Sequence, residues 1–201
     1  MILQKKKKII IYSGAFNPPH LGHAIMLEIA ARAFPCDEVW IMPTANRRDK
    51  KIGVAGIHRV RMLKIMQKKI LRPPRVRFKI SHLELDRPRL TATYETKREL
   101  ERLYPNYEFY FLIGSDIVRD IEKKWVQGKK LFKTGRFIIF KRYLHTLPKK
   151  LPPQSIVLKK ESRDLDFSST SIRSLLKQKH SGIPYITPEV ARYIKKHKLY
   201  Q

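Results

Sequence analysis

Two histidines in a segment with glycines and prolines are the residues of this sequence best suited to chemistry. His20 and His23 lie three positions apart in the segment Ser13-Gly14-Ala15-Phe16-Asn17-Pro18-Pro19-His20-Leu21-Gly22-His23. Residues three apart on a helix face the same way, so both imidazoles would point to one side. Imidazole N–H groups can donate hydrogen bonds to phosphate oxygens. The spacing therefore predicts a histidine pair that binds an anionic group.

The surroundings of the pair fit a phosphate site. The segment follows the apolar run Ile9-Ile10-Ile11-Tyr12 and precedes a helical pattern, so it joins a strand to a helix N-terminus. Gly14 lets the backbone turn sharply and approach a ligand. Gly22 has no side chain that could cover the first turn of the helix. Free N–H groups at such a start bind anions.

Metal coordination is the main alternative for the two histidines. A zinc site needs a third ligand, and the metalloprotease pattern needs a glutamate where this chain has Leu21. A purely structural pair would also satisfy the spacing. Glycine and proline at these positions after a strand favour phosphate binding.

A second candidate site begins at another predicted helix N-terminus. The segment Ser168-Ser169-Thr170-Ser171-Ile172-Arg173 offers several hydroxyls and a guanidinium one turn into the helix. Hydroxyl and N–H groups can hold phosphate oxygens, and arginine can bind two of them at once. An ordinary serine cap with a solvated arginine would look the same, so this segment gains weight only together with the histidine pair.

The order of apolar runs predicts the fold that must position these residues. Short apolar runs alternate with segments of helical periodicity. Strands that are apolar throughout are covered on both faces, and their alternation with helices implies a doubly wound parallel sheet of the Rossmann-like α/β type. Strands are predicted at 9–12, 39–42, 76–81, 109–113, 137–140 and 156–158. Ligands of such sheets bind beyond the strands' carboxyl ends, after Tyr12, Met42, Ser81, Ile113 and Phe140.

The chain is expected to form one domain of 201 residues with a helical C-terminal end. Residues 1–165 would form the Rossmann-like core, and residues 166–201 a helical subdomain that carries the serine-rich segment. Ser168 or Ser169 can cap its first helix, and Thr187 followed by Pro188 is typical of the start of the last one.

Composition limits the classes of function. One cysteine permits no intramolecular disulfide, which fits a reducing cytosol, and no apolar run approaches the roughly 20 residues of a membrane helix. We therefore expect a cytoplasmic protein without a membrane partner. The net charge of +27 suggests nucleic-acid binding, but positive residues recur in nearly every segment, which favours a generally basic surface.

The motifs together resemble a known family. His20-Leu21-Gly22-His23 and Ser169-Thr170-Ser171-Ile172-Arg173 resemble the two signatures of the HxGH nucleotidyltransferases, and the chain resembles the nicotinate/nicotinamide mononucleotide adenylyltransferases among them. Further similarities follow in order along nearly the whole chain: Ile41-Met42-Pro43, His58-Arg59-Val60-Arg61-Met62-Leu63, Thr93 to Leu100, Phe111-Leu112-Ile113-Gly114-Ser115-Asp116, Trp125, and Ile194 to Tyr200.

This resemblance implies an enzyme that joins the adenylyl group of ATP to a pyridine mononucleotide. The 5′-phosphate would attack the α-phosphorus in line and pyrophosphate would leave, with no covalent enzyme intermediate. Catalysis would then consist of positioning and of stabilising negative charge. Mg²⁺ is expected on the phosphates with few direct protein ligands, and no metal site of protein side chains is predicted.

The resemblance also implies roles for individual residues. The catalytic residues would be His20, His23 and Arg173, which would hold the ATP phosphates. Asp116 would accept from ribose hydroxyls, with a helix-capping role as the alternative. The complete set expected to bind ATP is Ser13, Gly14, Ala15, Phe16, Gly22, Gly114, Asp116, Ser169, Thr170 and Ile172.

The mononucleotide side is less sharply defined. Trp125 would stack on the pyridine ring unless it belongs to the core, and Thr93 would help to hold the ring. Lys51, with Lys50 or Arg48 nearby, would pair with the mononucleotide phosphate unless the loop is merely solvated.

Departures from the family pattern leave the pyridine base open. The loop at 44–51 lacks the Pro-Pro-His-Lys stretch of many bacterial nicotinate-type members, and its Lys50-Lys51 looks more like eukaryotic-type members. The spacing from Asp116 to Trp125 is one residue longer than expected. We favour nicotinate mononucleotide, giving deamido-NAD, over nicotinamide mononucleotide, giving NAD.

Two alternatives to this function remain. Pantetheine-phosphate adenylyltransferase shares the first motif but is shorter and lacks the serine-rich motif. A basic nucleic-acid-binding protein on the same scaffold is the other, and the intact His20, His23 and Arg173 argue against it. The expected ligands are ATP and a pyridine mononucleotide. The oligomeric state stays open, a homodimer included.

Overall fold

A sheet of parallel strands forms the centre of the molecule, as the alternating pattern predicts. The computed structural model describes residues 5–45, 52–71, 76–87, 92–142, 145–158 and 168–201. Within these ranges the strands are β1 (Lys7–Gly14), β2 (Glu38–Pro43), β3 (Arg77–Ile80), β4 (Tyr107–Gly114), β5 (Arg136–Phe140) and β6 (Gln154–Val157). Their order is β3-β2-β1-β4-β5-β6, and every neighbouring pair is parallel. The predicted Rossmann-like α/β fold is confirmed.

Helices connect the strands and cover the sheet. They are α1 (Leu21–Ala33), α2 (Gly56–Lys69), α3 (Thr93–Leu103), α4 (Val118–Lys124), α5 (Gly128–Thr134), α6 (Ser169–Lys177) and α7 (Pro188–Lys196), with a short 3₁₀ turn at Ser115–Ile117. The sequence pattern does not predict α4 and α5. Each has 7 residues, which is too short for apolar positions to repeat over several turns.

The strands supply two hydrophobic clusters, one on each face of the sheet. In β1, Ile10 and Tyr12 belong to the cluster that α1 and α2 cover. Ile9 and Ile11 belong to the cluster that α3, α4 and α5 cover. Successive side chains of a strand point to opposite faces, so an unbroken apolar strand is what two covered faces require.

The C-terminal helices pack on α2 rather than on the sheet. Met62 of α2 shares a third hydrophobic cluster with Ile172, Ile186, Val190 and Ile194. Ser168 caps α6, and its side chain accepts from the N–H of Ser171. The Thr187 side chain caps α7 in the same way, and Pro188 is its first residue. These start signals are confirmed, while the division of the chain near residue 165 stays a prediction.

The strand order places the ligand crevice. β1 lies between β2 and β4, so the chain winds outward in both directions from the β1–β4 pair. In open parallel sheets the crevice at such a switch point binds ligands. Here it opens beyond Gly14 and Gly114, the last residues of β1 and β4. Within the described ranges, no helix has the length and apolar character needed to cross a membrane.

The contact between α4 and α5 gives a stability prediction. A methyl group on Gly128 would lie 2.2 Å from the main-chain oxygen of Ile121 and 2.8 Å from that of Glu122. Because backbone atoms must move to relieve the clash, Gly128→Ala should lower the free energy of unfolding by about 2 kcal/mol, measured by urea denaturation.

Gly53→Ala is the matched control. No described atom lies within 4 Å of a methyl group placed on Gly53, so its free energy of unfolding should change by less than about 0.5 kcal/mol. Equal stability of the two variants would contradict the tight packing at Gly128.

Candidate active site

The two predicted anion-binding motifs meet in the folded chain. The Arg173 guanidinium donates from Nη1 to the main-chain oxygen of Asn17 at 2.8 Å, across 156 positions of sequence. The Ser169 hydroxyl donates to the main-chain oxygen of Pro18 at 3.0 Å. Arg173 Nη2 also donates to the Thr170 hydroxyl at 3.0 Å. The start of α6 is therefore joined directly to the loop between β1 and α1.

The start of α1 has fewer free main-chain N–H groups than the sequence suggests. The N–H of Leu21 donates to the main-chain oxygen of Tyr185 at 2.9 Å, and the N–H of His23 donates to that of His20 at 3.0 Å. The expectation of free N–H groups is wrong for these two residues, because the C-terminal segment and the helix's own first turn bind them. Anion recognition at this tip must depend mainly on the side chains.

The two imidazoles stack on each other. Their ring centroids are 3.7 Å apart and the planes differ by 30°. His23 Nδ1 accepts a hydrogen bond from the main-chain N–H of His20 at 3.2 Å, which places the proton of neutral His23 on Nε2. The Phe16 ring meets His23 edge-on at 4.9 Å. His23 is thus held in one orientation as a hydrogen-bond donor.

Burial keeps both imidazoles uncharged. Desolvation, followed by the charge of Arg142, lowers the pKa of His20 to about 3. Desolvation also holds the pKa of His23 well below its usual value, with smaller contributions from His20 and Arg142. Each ring therefore offers an N–H donor at neutral pH without a charge that repels its neighbour. A bound anion would favour the protonated form.

Arg142 is a candidate that the sequence analysis missed. It follows β5, and its Nε lies 3.4 Å from Asp116 Oδ1. Its main-chain N–H donates to the Ser115 hydroxyl at 3.0 Å. The same guanidinium lowers the pKa of both histidines, so its charge lies near them. The rule that ligands bind beyond strand ends pointed to the segment after Phe140, but the sequence offered no motif there.

The end of β4 brings a carboxylate to the crevice. A methyl group on Gly114 would lie 2.2 Å from Asp116 Oδ1, so only glycine leaves room for the carboxylate in this position. Ile117, not Asp116, occupies the N-cap of α4. The alternative that Asp116 caps a helix is therefore wrong, and its carboxylate faces Arg142 instead.

A buried arginine holds the end of β1 in place. Arg59 is 2% exposed and donates to the main-chain oxygens of Ala15 at 2.7 Å, Thr44 at 2.8 Å and Val54 at 3.2 Å. Burial lowers its pKa. One guanidinium thus joins the loops after β1 and β2 to the segment before α2. In the sequence, Arg59 stands out only as part of the family pattern that begins at His58.

Ser13 is held by a buried carboxyl group, that of Glu84. Its hydroxyl donates to Glu84 Oε2 at 3.1 Å, and the Thr96 hydroxyl donates to Glu84 Oε1 at 2.8 Å. Arg87 donates to the Thr96 hydroxyl at 3.1 Å and pairs with Glu99. Glu84 therefore connects the end of β1 to α3. It was missed because a lone glutamate in a turn carries no local signal.

The residues predicted to bind the mononucleotide are placed unevenly. Thr93 is the first residue of α3, one turn before Thr96. Trp125 ends α4 and packs, partly buried, against the cluster that α3, α4 and α5 cover. The packing role that the sequence left open for Trp125 is therefore present. Lys51, with Lys50 and Arg48, lies outside the described residues.

Ile172 is the expected ATP-binding residue whose position differs most from the prediction. Its side chain is fully buried among Met62, Val190 and Ile194. Its main-chain N–H already donates to the Ser168 oxygen at 3.0 Å. The side chain of Ile172 therefore anchors α6 on α2, and its contact with ATP stays a prediction.

Comparisons with known proteins identify the family of this chain. Residues 11–175 match the family model described as Cytidylyltransferase-like. A probable nicotinate-nucleotide adenylyltransferase of Oceanobacillus iheyensis is 34% identical over 96% of this chain and 97% of its own length. The nicotinate-nucleotide adenylyltransferase of Bacillus subtilis is 30% identical over 97% of this chain and 99% of its own length.

A solved structure resembles the whole chain. The nicotinic acid mononucleotide adenylyltransferase of Plasmodium falciparum, complexed with NaAD, superposes with a TM-score of 0.84 at 29% sequence identity. The match covers 96% of this chain and 97% of the other.

The stacked imidazole pair predicts an unusual titration. Because the folded chain holds the pKa of His23 well below its usual value, His23 should stay neutral, with its proton on Nε2, at mildly acidic pH where a free histidine is protonated. Nitrogen-15 NMR of histidine-labelled protein measures both properties, with His23→Gln to assign the signal. Pyrophosphate should move the midpoint to higher pH, since an anion favours the charged ring.

The same shift has a defined sign for stability. Between the folded and unfolded pKa values the unfolded chain binds more protons, so acidification below about pH 6.5 lowers the free energy of unfolding. A His23 midpoint near that of free histidine would contradict the buried, neutral pair.

Proposed function

The chain belongs to the Cytidylyltransferase-like family and, within it, to the nicotinate-nucleotide adenylyltransferases, and we propose that it transfers the adenylyl group of ATP to nicotinate mononucleotide. The products are deamido-NAD and pyrophosphate, in a reaction of NAD biosynthesis. The observation that carries this proposal is the junction of the two motifs, where Arg173 and Ser169 reach the loop that precedes His20 and His23. The names of the relatives support the choice of acceptor.

The proposed chemistry is an in-line displacement at the α-phosphorus. A phosphate oxygen of the mononucleotide forms the new P–O bond as the bond to the bridging oxygen breaks, and pyrophosphate leaves with that electron pair. His20 and His23 donate from neutral rings to the phosphate oxygens, and Arg173 neutralises charge that grows on the pyrophosphate. No side chain attacks, so the protein contributes positioning and charge stabilisation.

The adenosine half is proposed to lie in the crevice between β1 and β4. The loop residues Ser13, Gly14, Ala15 and Phe16 present main-chain groups there, and Gly22 lies in the first turn of α1. Gly114 allows close approach, and the Asp116 carboxylate accepts from ribose hydroxyls. Arg142 lies beside this carboxylate and adds a positive charge near the histidines. Ser169 and Thr170 at the start of α6 complete the phosphate end.

The pyridine mononucleotide is proposed to lie beside α3 and the end of α4. Thr93 at the start of α3 would help to hold the pyridine ring. Trp125 is partly buried, and the exposed part of its indole would stack on the pyridine ring. Lys51 would pair with the mononucleotide phosphate. Nicotinate carries a carboxylate where nicotinamide carries an amide, so donors near the ring would favour nicotinate.

Mg²⁺ is proposed to arrive as part of the substrate, bound to ATP. In the part of the chain that the structure describes, His, Cys, Asp and Glu side chains form no group of three that could hold a metal. Mg²⁺ commonly keeps several waters and binds through substrate phosphates with few protein ligands. This fits a metal ion that is held by the triphosphate of ATP. Such an ion would offset the repulsion between the charges of the triphosphate and the incoming phosphate of the mononucleotide.

A comparison of acceptors tests the function. Purified protein with ATP and Mg²⁺ should release pyrophosphate rapidly with nicotinate mononucleotide and more slowly with nicotinamide mononucleotide. It should release none above background with phosphopantetheine. Pyrophosphate release coupled to a colorimetric phosphate assay measures all three. Pyrophosphate release with phosphopantetheine alone would overturn the proposed acceptor. No pyrophosphate release with any acceptor would overturn adenylyl transfer.

His23→Ala tests the imidazole in the mechanism. Removing a preorganised donor to the phosphates should lower kcat by about 10²-fold or more, while circular dichroism shows an unchanged fold. His180→Ala is the control, since His180 is exposed beyond the end of α6 and its loss should leave kcat within about twofold. Near-normal turnover by His23→Ala would remove this histidine from the mechanism.

A further inference from the structure

The C-terminal end of the chain reaches the loop that precedes the two histidines. The Tyr200 hydroxyl donates to Asn17 Oδ1 at 2.7 Å, which joins residues 183 positions apart. Asn17 is 7% exposed, and its main-chain oxygen accepts from Arg173. A single loop residue is thus held at its side chain by the last segment of the chain and at its backbone by the α6 guanidinium.

A defined turn brings Tyr200 to this position. After α7, the N–H of Leu199 donates to the Ile194 oxygen at 3.1 Å and that of Lys198 to the Lys195 oxygen at 3.2 Å. Lys198 has φ 49°. This pair of bonds around a left-handed residue is the Schellman motif that ends many helices. It reverses the chain, so the segment that follows returns toward the crevice.

The position of Tyr200 is held by its surroundings. Its own φ is 64°, a region that a bulky side chain adopts only where other contacts hold it. The ring packs on the cluster formed by α2, α6 and α7. The charges of Arg59 and Arg173 face the phenol, yet burial dominates and raises its pKa. The hydroxyl therefore keeps its proton and donates to Asn17.

The contacts around the loop converge on one backbone segment. Arg59 holds the Ala15 oxygen, and Arg173 and Tyr200 hold Asn17 at its two oxygens. Phe16, between them, has φ 47° and is 1% exposed. Because the loop leads directly into His20, a shift of Asn17 would displace both the imidazoles and the Arg173 contact.

We propose that Tyr200, the penultimate residue of the chain, is a positioning residue that sets the Asn17 loop for binding of the ATP phosphates. This inference rests on the proposed function. The phenol does not touch the reacting atoms in the proposal. It fixes the loop so that the histidine pair and Arg173 face one triphosphate, and small displacements of such groups are costly to catalysis.

The C-terminal helices α6 and α7 are attached to α2 by other contacts as well. Loss of the Tyr200 hydroxyl should therefore affect the loop without unfolding these helices. The hydrophobic cluster of α2, α6 and α7 fixes these helices without the Tyr200 hydroxyl. Tyr193 Oη also lies 2.9 Å from His58 Nδ1, which joins α7 to α2 by a hydrogen bond away from the loop. Tyr193→Phe is therefore a matched control, since it removes one hydroxyl and one inter-helix hydrogen bond.

The test compares Tyr200→Phe with Tyr193→Phe. Tyr200→Phe should raise KM for ATP about fivefold, as expected for one hydrogen bond of ordinary net strength, and leave KM for nicotinate mononucleotide unchanged. Tyr193→Phe should leave both KM values unchanged. A lower folded fraction would reduce apparent kcat but move neither KM, so the selective ATP effect distinguishes positioning from structure.

Two further measurements do not depend on turnover. Hydrogen–deuterium exchange of the segment 13–19 should quicken in Tyr200→Phe and stay unchanged in Tyr193→Phe. Asn17→Ala combined with Tyr200→Phe should bind ATP no more weakly than Asn17→Ala alone, because both changes remove the same hydrogen bond.

The outcomes separate this inference from the proposed function. If the wild-type protein is inactive with every acceptor, the proposed function is overturned. The hydrogen-exchange comparison still tests whether the Tyr200–Asn17 hydrogen bond holds the loop. An active wild type, with Tyr200→Phe matching Tyr193→Phe in KM for ATP and in exchange, overturns the positioning role. Fully additive effects of Asn17→Ala and Tyr200→Phe on ATP affinity would overturn it as well.

Discussion

The hydrogen bond from the Arg173 guanidinium to the Asn17 oxygen is the contact on which the site depends. It joins the start of α6 to the loop after β1, and neither end makes a complete anion site alone. The α1 tip has imidazoles, but two of its first N–H groups already donate to main-chain oxygens. The N-terminus of α6 offers hydroxyl groups and the Arg173 guanidinium, but its first turns contain no histidine. A triphosphate is long enough to engage both ends, which is why their junction points to a nucleotide.

Local charge, rather than total charge, gives this junction its chemistry. The chain carries a formal net charge of +27, but exposed charges are largely screened beyond about 8 Å at physiological salt. The groups that matter are Arg59, Arg142 and Arg173, which face the loop or the crevice, and two imidazoles that burial keeps neutral. Neutral donors beside fixed guanidinium groups can bind an anion without first taking up a proton, and they need little rearrangement when charge moves to the leaving group.

The sheet explains why these groups can meet. Parallel strands place their carboxyl ends at one edge, and the order β3-β2-β1-β4-β5-β6 brings the ends of β1, β4 and β5 side by side. Gly14 and Gly114 are the last residues of β1 and β4, Asp116 follows β4, and Arg142 follows β5. The two buried faces hold the strands rigidly. Arg59 of α2 anchors the loop after β1, and Glu84 of the β3–α3 connection anchors the end of β1 itself. Rigid strands with anchored loops provide the fixed geometry that positioning catalysis requires.

The sequence by itself determined the features that local patterns encode. Continuous apolar strands, the helix starts at Ser168 and Thr187, and the histidine and serine-arginine motifs could all be predicted, because strand periodicity, capping and turn chemistry act over a few residues. Only the tertiary structure decided that Leu21 donates to Tyr185, that Ile172 is buried, and that Arg142 and Glu84 join the site. It alone decided that Tyr200 holds Asn17 across 183 positions. Such contacts depend on how distant elements pack, and a single residue at a strand end or a chain end leaves no periodic trace in sequence.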